Sequence, residues 1–338
     1  MLKKMLRQAV PAPLRDGFKL AKRKLGSARE SFYARVFRRY GRRNSVAFRN
    51  SLNAAGYQVA RDADYYSPLP SVSCLKTNAA RWTRPSALRG VDYDLDAMKS
   101  TLSGLLDCYL EEFLALPPYE QVQKMGFGPG YTAVDAMTLY MMIRHLKPRR
   151  YIEVGSGVST YYCSLAAQRN ASEGHPLEMT CIEPYPFEKL STIPGIRVHA
   201  QKVEDVDIAL FQQLQENDVL FIDSSHILRV DGDVQFLYLE VLPAINVGVV
   251  THIHDIPYPY NSPYPADLWI FGQDWPMFWN EPMVLQAFLA FNKNFEISLS
   301  TPLLRHFDEP FLKQRIPIYQ SVEEQPNTFS SIWLKRIS

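Results

Sequence analysis

Tyr151-Ile-Glu-Val-Gly-Ser-Gly-Val-Ser-Thr160 is the stretch that decides the fold. It begins as a short apolar strand, turns on two glycines and opens a helix. A backbone that passes within contact distance of a nucleotide cannot carry a Cβ there, and the free N–H groups of the helix start add polar donors. The stretch therefore predicts a nucleotide pocket, with these candidate contacts: Glu153, Gly155, Ser156, Gly157 and Ser159.

The type of nucleotide depends on two positions. A dinucleotide turn needs a third glycine, but Thr160 stands in its place. Glu153 precedes the turn, and a carboxylate suits S-adenosylmethionine, which carries an ammonium and a sulfonium group, better than a pyrophosphate. The motif resembles the E/D-x-G-x-G signature of class I S-adenosylmethionine-dependent methyltransferases. A tight turn that binds no ligand is the alternative.

From Tyr151 onward, strands and helices alternate regularly. Seven strands are predicted, at Tyr151–Val154, Glu178–Glu183, Ile196–Ala200, Asp218–Asp223, Val247–Ile253, Phe295–Leu299 and Ser330–Lys335. The crossover helices include one at Val206–Gln215 and one at Met283–Phe291. We therefore predict an α/β fold: a Rossmann-like, seven-stranded, mostly parallel sheet with helices on both faces, its last strand antiparallel, and an N-terminal basic helical extension.

Basic and acidic residues are distributed unevenly along the chain. Residues 1–50 hold fifteen Lys and Arg against two acids, whereas the remainder has a net charge of −11. We interpret 1–50 as a basic amphipathic arm that rests on an anionic membrane surface, or that packs on the body or on a second subunit of a homo-oligomer. No recognised nucleic-acid module accompanies the arm, so nucleic acid is not favoured. The spacing of the four cysteines is not typical of disulfides or of a metal site, which favours a cytoplasmic location. We expect the arm to lie on the inner face of the membrane.

The rest of the chain divides into two parts. Residues 51–125 read as a connecting and helical cap segment, and 126–338 as the methyltransferase domain, with an aromatic and proline-rich insert at 256–282. We expect the insert to form the wall of an acceptor site, because aromatic faces suit sugars and planar rings. In the glycine-rich turn Gly126–Tyr131, Phe127 and Tyr131 are expected to cover the cofactor.

Two acids extend the predicted cofactor site. Glu183 ends the second strand 28 residues after Gly155, where a carboxylate can accept hydrogen bonds from both ribose hydroxyls. After the third strand, Glu204 or Asp205 could contact the adenine amino group; the sequence does not choose between them.

Polar side chains follow the fourth and fifth strands, in Phe221-Ile-Asp-Ser-Ser-His226 and His252-Ile-His-Asp255. The carboxyl ends of parallel strands meet at one edge of a sheet, where α/β folds bind ligands. We therefore expect at least three of five side chains to converge beside the glycine turn, those of Asp223, His226, His252, His254 and Asp255.

The polar segments that follow the fourth and fifth strands resemble the two segments with which catechol-type O-methyltransferases bind their metal. They resemble more closely the Asp-x-x-His and acid-Asp arrangement of cephalosporin-hydroxylase-like proteins. Over Tyr151 to Phe295 the chain is similar to methyltransferase family 24. The resemblance implies a Mg²⁺ or Mn²⁺ site at Asp223, His254 and Asp255, and Asp223 also lies beside the cofactor. His254 replaces a carboxylate, which favours a transition metal or no metal.

Methyl transfer requires an aligned acceptor oxygen and a group that takes its proton. His254 is our first candidate base and His226 the second, with Asp255 orienting a histidine. We expect O-methylation of a hydroxyl on a small molecule or a glycan. The alternatives are an NAD(P)-dependent oxidoreductase and a non-catalytic binding protein that retains the fold.

Overall fold

The computed structural model describes residue 35 and residues 46–58, 65–128, 130–273, 276–324 and 329–338. Its centre is one seven-stranded sheet with the strand order β3-β2-β1-β4-β5-β7-β6. Strands β1 to β5 pair in parallel, and β7 runs antiparallel to both β5 and β6. The predicted fold class is confirmed.

The strands lie close to their predicted positions. They are β1 Arg150–Val154, β2 Glu178–Ile182, β3 Ile196–His199, β4 Val219–Ile222, β5 Val250–Ile253, β6 Phe295–Ser300 and β7 Ile332–Arg336. All four residues of β4 and of β5 are buried. Short strands of this kind, buried on both faces, are typical of the centre of a parallel sheet.

The α-helices of the described residues are numbered in chain order. They are α1 Val46–Ala54, α2 Val72–Thr77, α3 Ala79–Trp82, α4 Leu95–Leu114, α5 Tyr119–Gln123, α6 Ala133–Leu146, α7 Val158–Ser172, α8 Asp233–Phe236, α9 Glu281–Leu289 and α10 Thr301–Arg315. Helix α8 continues through a π-helical turn and ends at residue 244. Side-chain caps hold the starts of α4 and α6, where Asp94 and Thr132 accept hydrogen bonds from the first-turn N–H groups.

Two helix predictions differ from the structure. The segment predicted as helix Val206–Gln215 forms only a 3₁₀ helix, Ile208–Gln213. Phe211 is its buried residue, and the next buried position, Leu214, follows three residues later, which is the 3₁₀ period. Helix α10 was not predicted, because Pro302 and Pro310 interrupt its pattern; the structure accommodates Pro310 with a kink.

The chain divides into two compact units, residues 1–75 and 76–338. The domain boundaries that we predicted at residues 50 and 125 stay predictions. The basic arm lies almost entirely outside the described residues, so its helical form stays a prediction. Within the described ranges, no helix has the length and apolar character needed to cross a membrane.

Candidate active site

A cavity of about 330 Å³ lies at the carboxyl edge of the sheet. It opens where β1 has β2 on one side and β4 on the other, the point from which the strand order runs in both directions. Open α/β sheets bind their ligands in this crevice, and the volume is in the range of small-molecule sites. Predicted site residues that line it are Gly155, Glu183, Glu204 and Asp223.

Glu153 is placed differently from our expectation. Its side chain is fully buried and does not line the cavity. Ser159 Oγ donates to one carboxylate oxygen at 2.5 Å and Thr160 Oγ1 to the other at 2.7 Å. Burial raises the pKa of Glu153 to about 8, although Ser159, Thr160 and Cys181 donate to it. Glu153 therefore holds the start of α7 against β1, and the structure gives it no direct access to a cationic ligand.

The two glycines of the turn are required by the protein backbone itself. Gly155 has φ +79°, and a Cβ there would lie 2.2 Å from the carbonyl oxygen of Asp223. A Cβ on Gly157 would lie 2.9 Å from the carbonyl oxygen of Phe127. Thr160 stands where a dinucleotide turn has glycine, and its Oγ1 accepts a hydrogen bond from the Gly157 N–H. Close strand and loop packing thus explains the glycines, and the cavity lies beside them.

Glu183 lines the cavity and is held by the backbone of Ser156, which does not itself line the cavity. The Glu183 carboxylate accepts hydrogen bonds from the backbone N–H groups of Ser156, at 3.2 Å, and Tyr185, at 2.8 Å. Ser156 Oγ is buried and has no partner among the described residues. The structure also separates the two acids after β3: Glu204 lines the cavity, whereas Asp205 is exposed outside it.

The glycine-rich turn before α6 has another role than we predicted. Phe127 is buried, and its ring stacks on Tyr161 with 4.9 Å between ring centroids. Tyr131 is also buried and packs on His254 at 4.7 Å. Neither ring faces the cavity; both are part of the core that supports the strand tips.

Asp223, His226 and Asp255 form a compact cluster beside the cavity. His226 Nε2 lies 3.2 Å from Asp223 Oδ1 and 3.3 Å from Asp255 Oδ2. Burial opposes ionisation, but the hydrogen bond from His226 and the nearby imidazoles lower the pKa of Asp223. Both His226 and Asp255 have left-handed backbones, at φ +60° and +56°. Such conformations are strained for residues with a Cβ and often occur at functional sites.

Glu281 completes the cluster, and sequence reasoning missed it. It is fully buried in the first turn of α9, and its Oε2 lies 2.8 Å from His226 Nδ1. Ser224 Oγ donates to the same oxygen at 2.8 Å. Although burial disfavours the imidazolium, the hydrogen bonds to Asp223 and Glu281 raise the pKa of His226 well above its usual value. Glu281 lies 55 residues after His226, so no local pattern indicated the contact.

The two other histidines do not join this cluster. His252 is fully buried between Phe221, at 4.4 Å, and Trp333, at 4.6 Å, and its ring nitrogens have no partner among the described residues. Burial holds its pKa well below the usual value. His254 is 1% exposed and its Nε2 lies 3.3 Å from the carbonyl oxygen of Gly130. Burial opposes its charge, but Asp255 and Asp223 raise its pKa.

The candidate metal ligands therefore change by one residue. Among the residues with described positions, the three groups whose ligand atoms lie within 4.8 Å of one another are Asp223, His226 and Asp255. His254, which we expected in this set, lies 3.8 Å from Asp255 Oδ1 but faces Gly130. The alternation of side chains along β5 explains the difference: His254 stays in the row of His252, whereas His226 comes from a loop.

The insert 256–282 contributes a small cleft on the other side of the cluster. Asp255 is 25% exposed there, and its Oδ1 accepts a hydrogen bond from Ser330 Oγ at 2.9 Å. The Trp279 ring packs on His226 at 4.5 Å, and Trp269 stacks on Trp279 at 6.3 Å. The cleft is lined by Asp255, Pro257, Pro263, Tyr264, Trp269, Trp279 and Ser330. Asp223 thus faces the cavity, Asp255 faces the cleft, and His226 lies between them.

Residues 152–256 match the family model of a methyltransferase domain, methyltransferase family 24. This range contains β2 to β4, most of β1 and all of β5, together with Asp223, His226 and Asp255. The match identifies this part of the chain as similar to a methyltransferase domain, as the sequence motifs predicted. A protein of Archaeoglobus fulgidus described as uncharacterized is 25% identical over 165 residues, which are 45% of this chain and 72% of that protein.

Two solved structures are also similar. One is the O-methyltransferase TomG from Streptomyces achromogenes, involved in tomaymycin synthesis, in complex with SAM. It has 13% identity and a TM-score of 0.39, over 73% of this chain and 92% of that one. The other is an O-methyltransferase from Bacillus cereus in complex with SAH. It has 13% identity and a TM-score of 0.41, over 71% of this chain and 100% of that one.

Proposed function

We propose that the methyltransferase domain of this chain methylates a hydroxyl oxygen of a small molecule or a glycan, with the help of a divalent ion. The observation that carries the proposal is the chain of side-chain contacts that joins the cavity to the cleft. Asp223 lines the cavity, His226 contacts Asp223 and Asp255, and Asp255 lines the aromatic cleft. The cleft measures only about 20 Å³, so it marks where the hydroxyl group of an acceptor would approach the cluster, opposite a cofactor in the cavity.

The cavity fits the cofactor S-adenosylmethionine. The Glu183 carboxylate is held in place by two backbone N–H groups, so it is pre-organised to accept hydrogen bonds from ribose hydroxyls. Glu204 is the candidate contact for the adenine amino group. The sulfonium of the cofactor supplies the methyl group; the protein has to align the acceptor oxygen with it and exclude water.

The cluster fits a divalent ion such as Mg²⁺ or Mn²⁺. Three carboxylates, those of Asp223, Asp255 and Glu281, surround one imidazole, so negative charge exceeds positive charge in a largely buried place. Buried charges are normally paired or bind metals. Asp223, His226 and Asp255 would hold the ion, and Glu281 would orient His226 through Nδ1. A bound ion supplies Lewis acidity that favours loss of the acceptor proton.

This arrangement changes the roles that we predicted for the histidines. His254 supports the strand tips through Gly130 and Tyr131, and it is a positioning residue in our proposal. The Nδ1 of His226 is held by Glu281, while its Nε2 faces two carboxylates. The Asp255 carboxylate is partly exposed and lines the cleft. We therefore assign it the contact with the acceptor hydroxyl.

Calorimetry tests the cofactor. S-adenosylhomocysteine should bind to the wild-type protein, and Glu183→Ala should weaken it by about tenfold or more, since each lost hydrogen bond to a charged group is worth about 1.5–3 kcal/mol. Asp205→Ala is the matched control, because Asp205 is an exposed acid outside the cavity. Binding of NAD but not of S-adenosylhomocysteine would support the oxidoreductase and refute our proposal.

The ion has a separate test. Mn²⁺ binding, followed by electron paramagnetic resonance, should be lost in Asp255→Asn and kept in His254→Ala. Equal binding by both variants would exclude the proposed ligand set. Contact of residues 1–50 with an anionic membrane and homo-oligomerisation stay predictions.

A further inference from the structure

A second polar cavity, of about 350 Å³, lies beside the aromatic insert. It is lined by Arg305 and His306 of α10, by Tyr260 and Tyr264 of the insert, and by Val322 of the loop after α10. Arg305 is only 8% exposed. The cavity therefore presents a largely buried cation to a space that can take a small organic group.

Arg305 has no carboxylate partner among the residues that the structure describes. Its one hydrogen bond there is from Nη1 to the carbonyl oxygen of Phe329, at 3.3 Å. The guanidinium lies 4.7 Å from the Phe329 ring centre and 5.6 Å from that of Tyr264. A guanidinium has five N–H donors, and a buried charge without a counter-ion is costly. The aromatic rings hold Arg305 in place and leave most donors free to bind an anion.

The other charged groups of the cavity do not neutralise Arg305. Glu309 accepts hydrogen bonds from Tyr319 Oη at 2.6 Å and from Lys313 Nζ at 3.1 Å, so its charge is balanced by Lys313. Burial and the charge of Arg305 lower the pKa of His306, which favours its neutral form. Glu323 also lines the cavity, but its side chain is exposed. The buried carboxylate of Asp135 acts on Arg305 through charge alone and accepts its own hydrogen bond from Thr132, so among the described residues no carboxylate that lines the cavity pairs with the guanidinium.

This cavity adjoins the acceptor cleft. Tyr264 lines both of them. Arg305 binds the carbonyl oxygen of Phe329, and the next residue, Ser330, donates to the Asp255 carboxylate at 2.9 Å. The Arg305 cavity and the cleft at Asp255 are therefore neighbours that share the Tyr264 wall, so one acceptor is able to contact both.

We propose that Arg305 binds an anionic group of the methyl acceptor, a carboxylate or a phosphate, and so selects hydroxylated anions as substrates. This proposal rests on the proposed function, because it takes the cleft at Asp255 as the acceptor site. A planar guanidinium matches both anions through paired N–H donors. An amine or a neutral sugar, which has no anionic group, would leave the guanidinium of Arg305 unpaired.

Calorimetry with sodium benzoate and with inorganic phosphate tests the site directly. We expect the wild-type protein to bind at least one of these probes; tighter benzoate indicates a carboxylate acceptor, and tighter phosphate a phosphate ester. Arg305→Met should weaken that probe by at least about tenfold, the loss expected for a charge-assisted pair. Arg197→Met, which removes an exposed arginine on β3, should bind as the wild type does.

A second pair of variants leaves Arg305 intact, in case its replacement affects folding. Val322→Glu adds a carboxylate to the cavity lining and should abolish binding, whereas the near-isosteric Val322→Gln should retain it. The proposal is overturned if neither probe binds the wild-type protein. It is also overturned if the Arg305→Met and Val322→Glu variants bind the probe as tightly as the wild type does. S-adenosylhomocysteine is titrated into the wild-type protein in parallel. If the wild type binds the anion probe but not S-adenosylhomocysteine, the proposed function is refuted. If it binds S-adenosylhomocysteine but neither anion probe, the anion site is refuted.

Discussion

Replacing Glu153 by glutamine should change how the stability of the protein depends on pH. The Glu153 carboxyl is fully buried, and its pKa is about 8 instead of the ordinary 4.5. Since the folded-state pKa is above the unfolded one, the folded protein binds this proton more tightly. Its contribution to stability is therefore complete below pH 4.5 and is lost as the pH rises through 8.

The size of the effect follows from the two pKa values. Between pH 5 and pH 8 the free energy of unfolding of the wild type should fall by roughly 3.5 kcal/mol from this one group, at about 1.4 kcal/mol per unit of pKa difference. Glutamine does not titrate and can still accept from Thr160, so the Glu153→Gln variant lacks this term. Burial also raises the pKa of Asp135, but that contribution is common to both proteins.

Urea denaturation at pH 5, 6.5 and 8, at one ionic strength, measures the difference. The wild type should lose stability relative to Glu153→Gln as the pH increases, and Glu188→Gln controls for the change in net charge at an exposed position. If the wild-type and Glu153→Gln curves run parallel across this range, the carboxyl is not held neutral by its burial. Its assignment as a structural residue of the turn would then fail.

Three further substitutions test the site. Glu281→Gln should lower Mn²⁺ affinity by about 10–100-fold, the usual cost of losing a group that orients a metal ligand, while S-adenosylhomocysteine affinity stays the same; equal loss of both would contradict this role. His254→Ala should retain methyl transfer once the acceptor is known but melt at a lower temperature, because the side chain is buried against Gly130; complete loss of transfer in a folded variant would restore it as the base. Gly155→Ala should lower the free energy of unfolding by at least about 3 kcal/mol, because the added Cβ would lie 2.2 Å from a carbonyl oxygen at a φ of +79°. Thermal melting measures this loss, and an unchanged melting temperature would show that the turn relaxes freely.

Much of the fold could be predicted, because the relevant signals are local. Each central strand is a short apolar run that ends in polar residues, and the glycine turn marks where β1 gives way to α7. Helix α10 could not be predicted in this way, since Pro310 and the non-helical Asp308 interrupt its periodicity. Arg305 lies in that helix, so its cavity was also missed.

The sequence by itself determined that the tips of β4 and β5 meet beside the glycine turn, because parallel strands of a known order have their carboxyl ends at one edge. It could not determine which side chains face one another there. Alternation along β1 and β5 buries Glu153 and His254, while left-handed turns at His226 and Asp255 direct their side chains into the cluster. Glu281 joins them across a 55-residue separation. Those contacts depend on loop conformation and long-range packing, which only the tertiary structure decides.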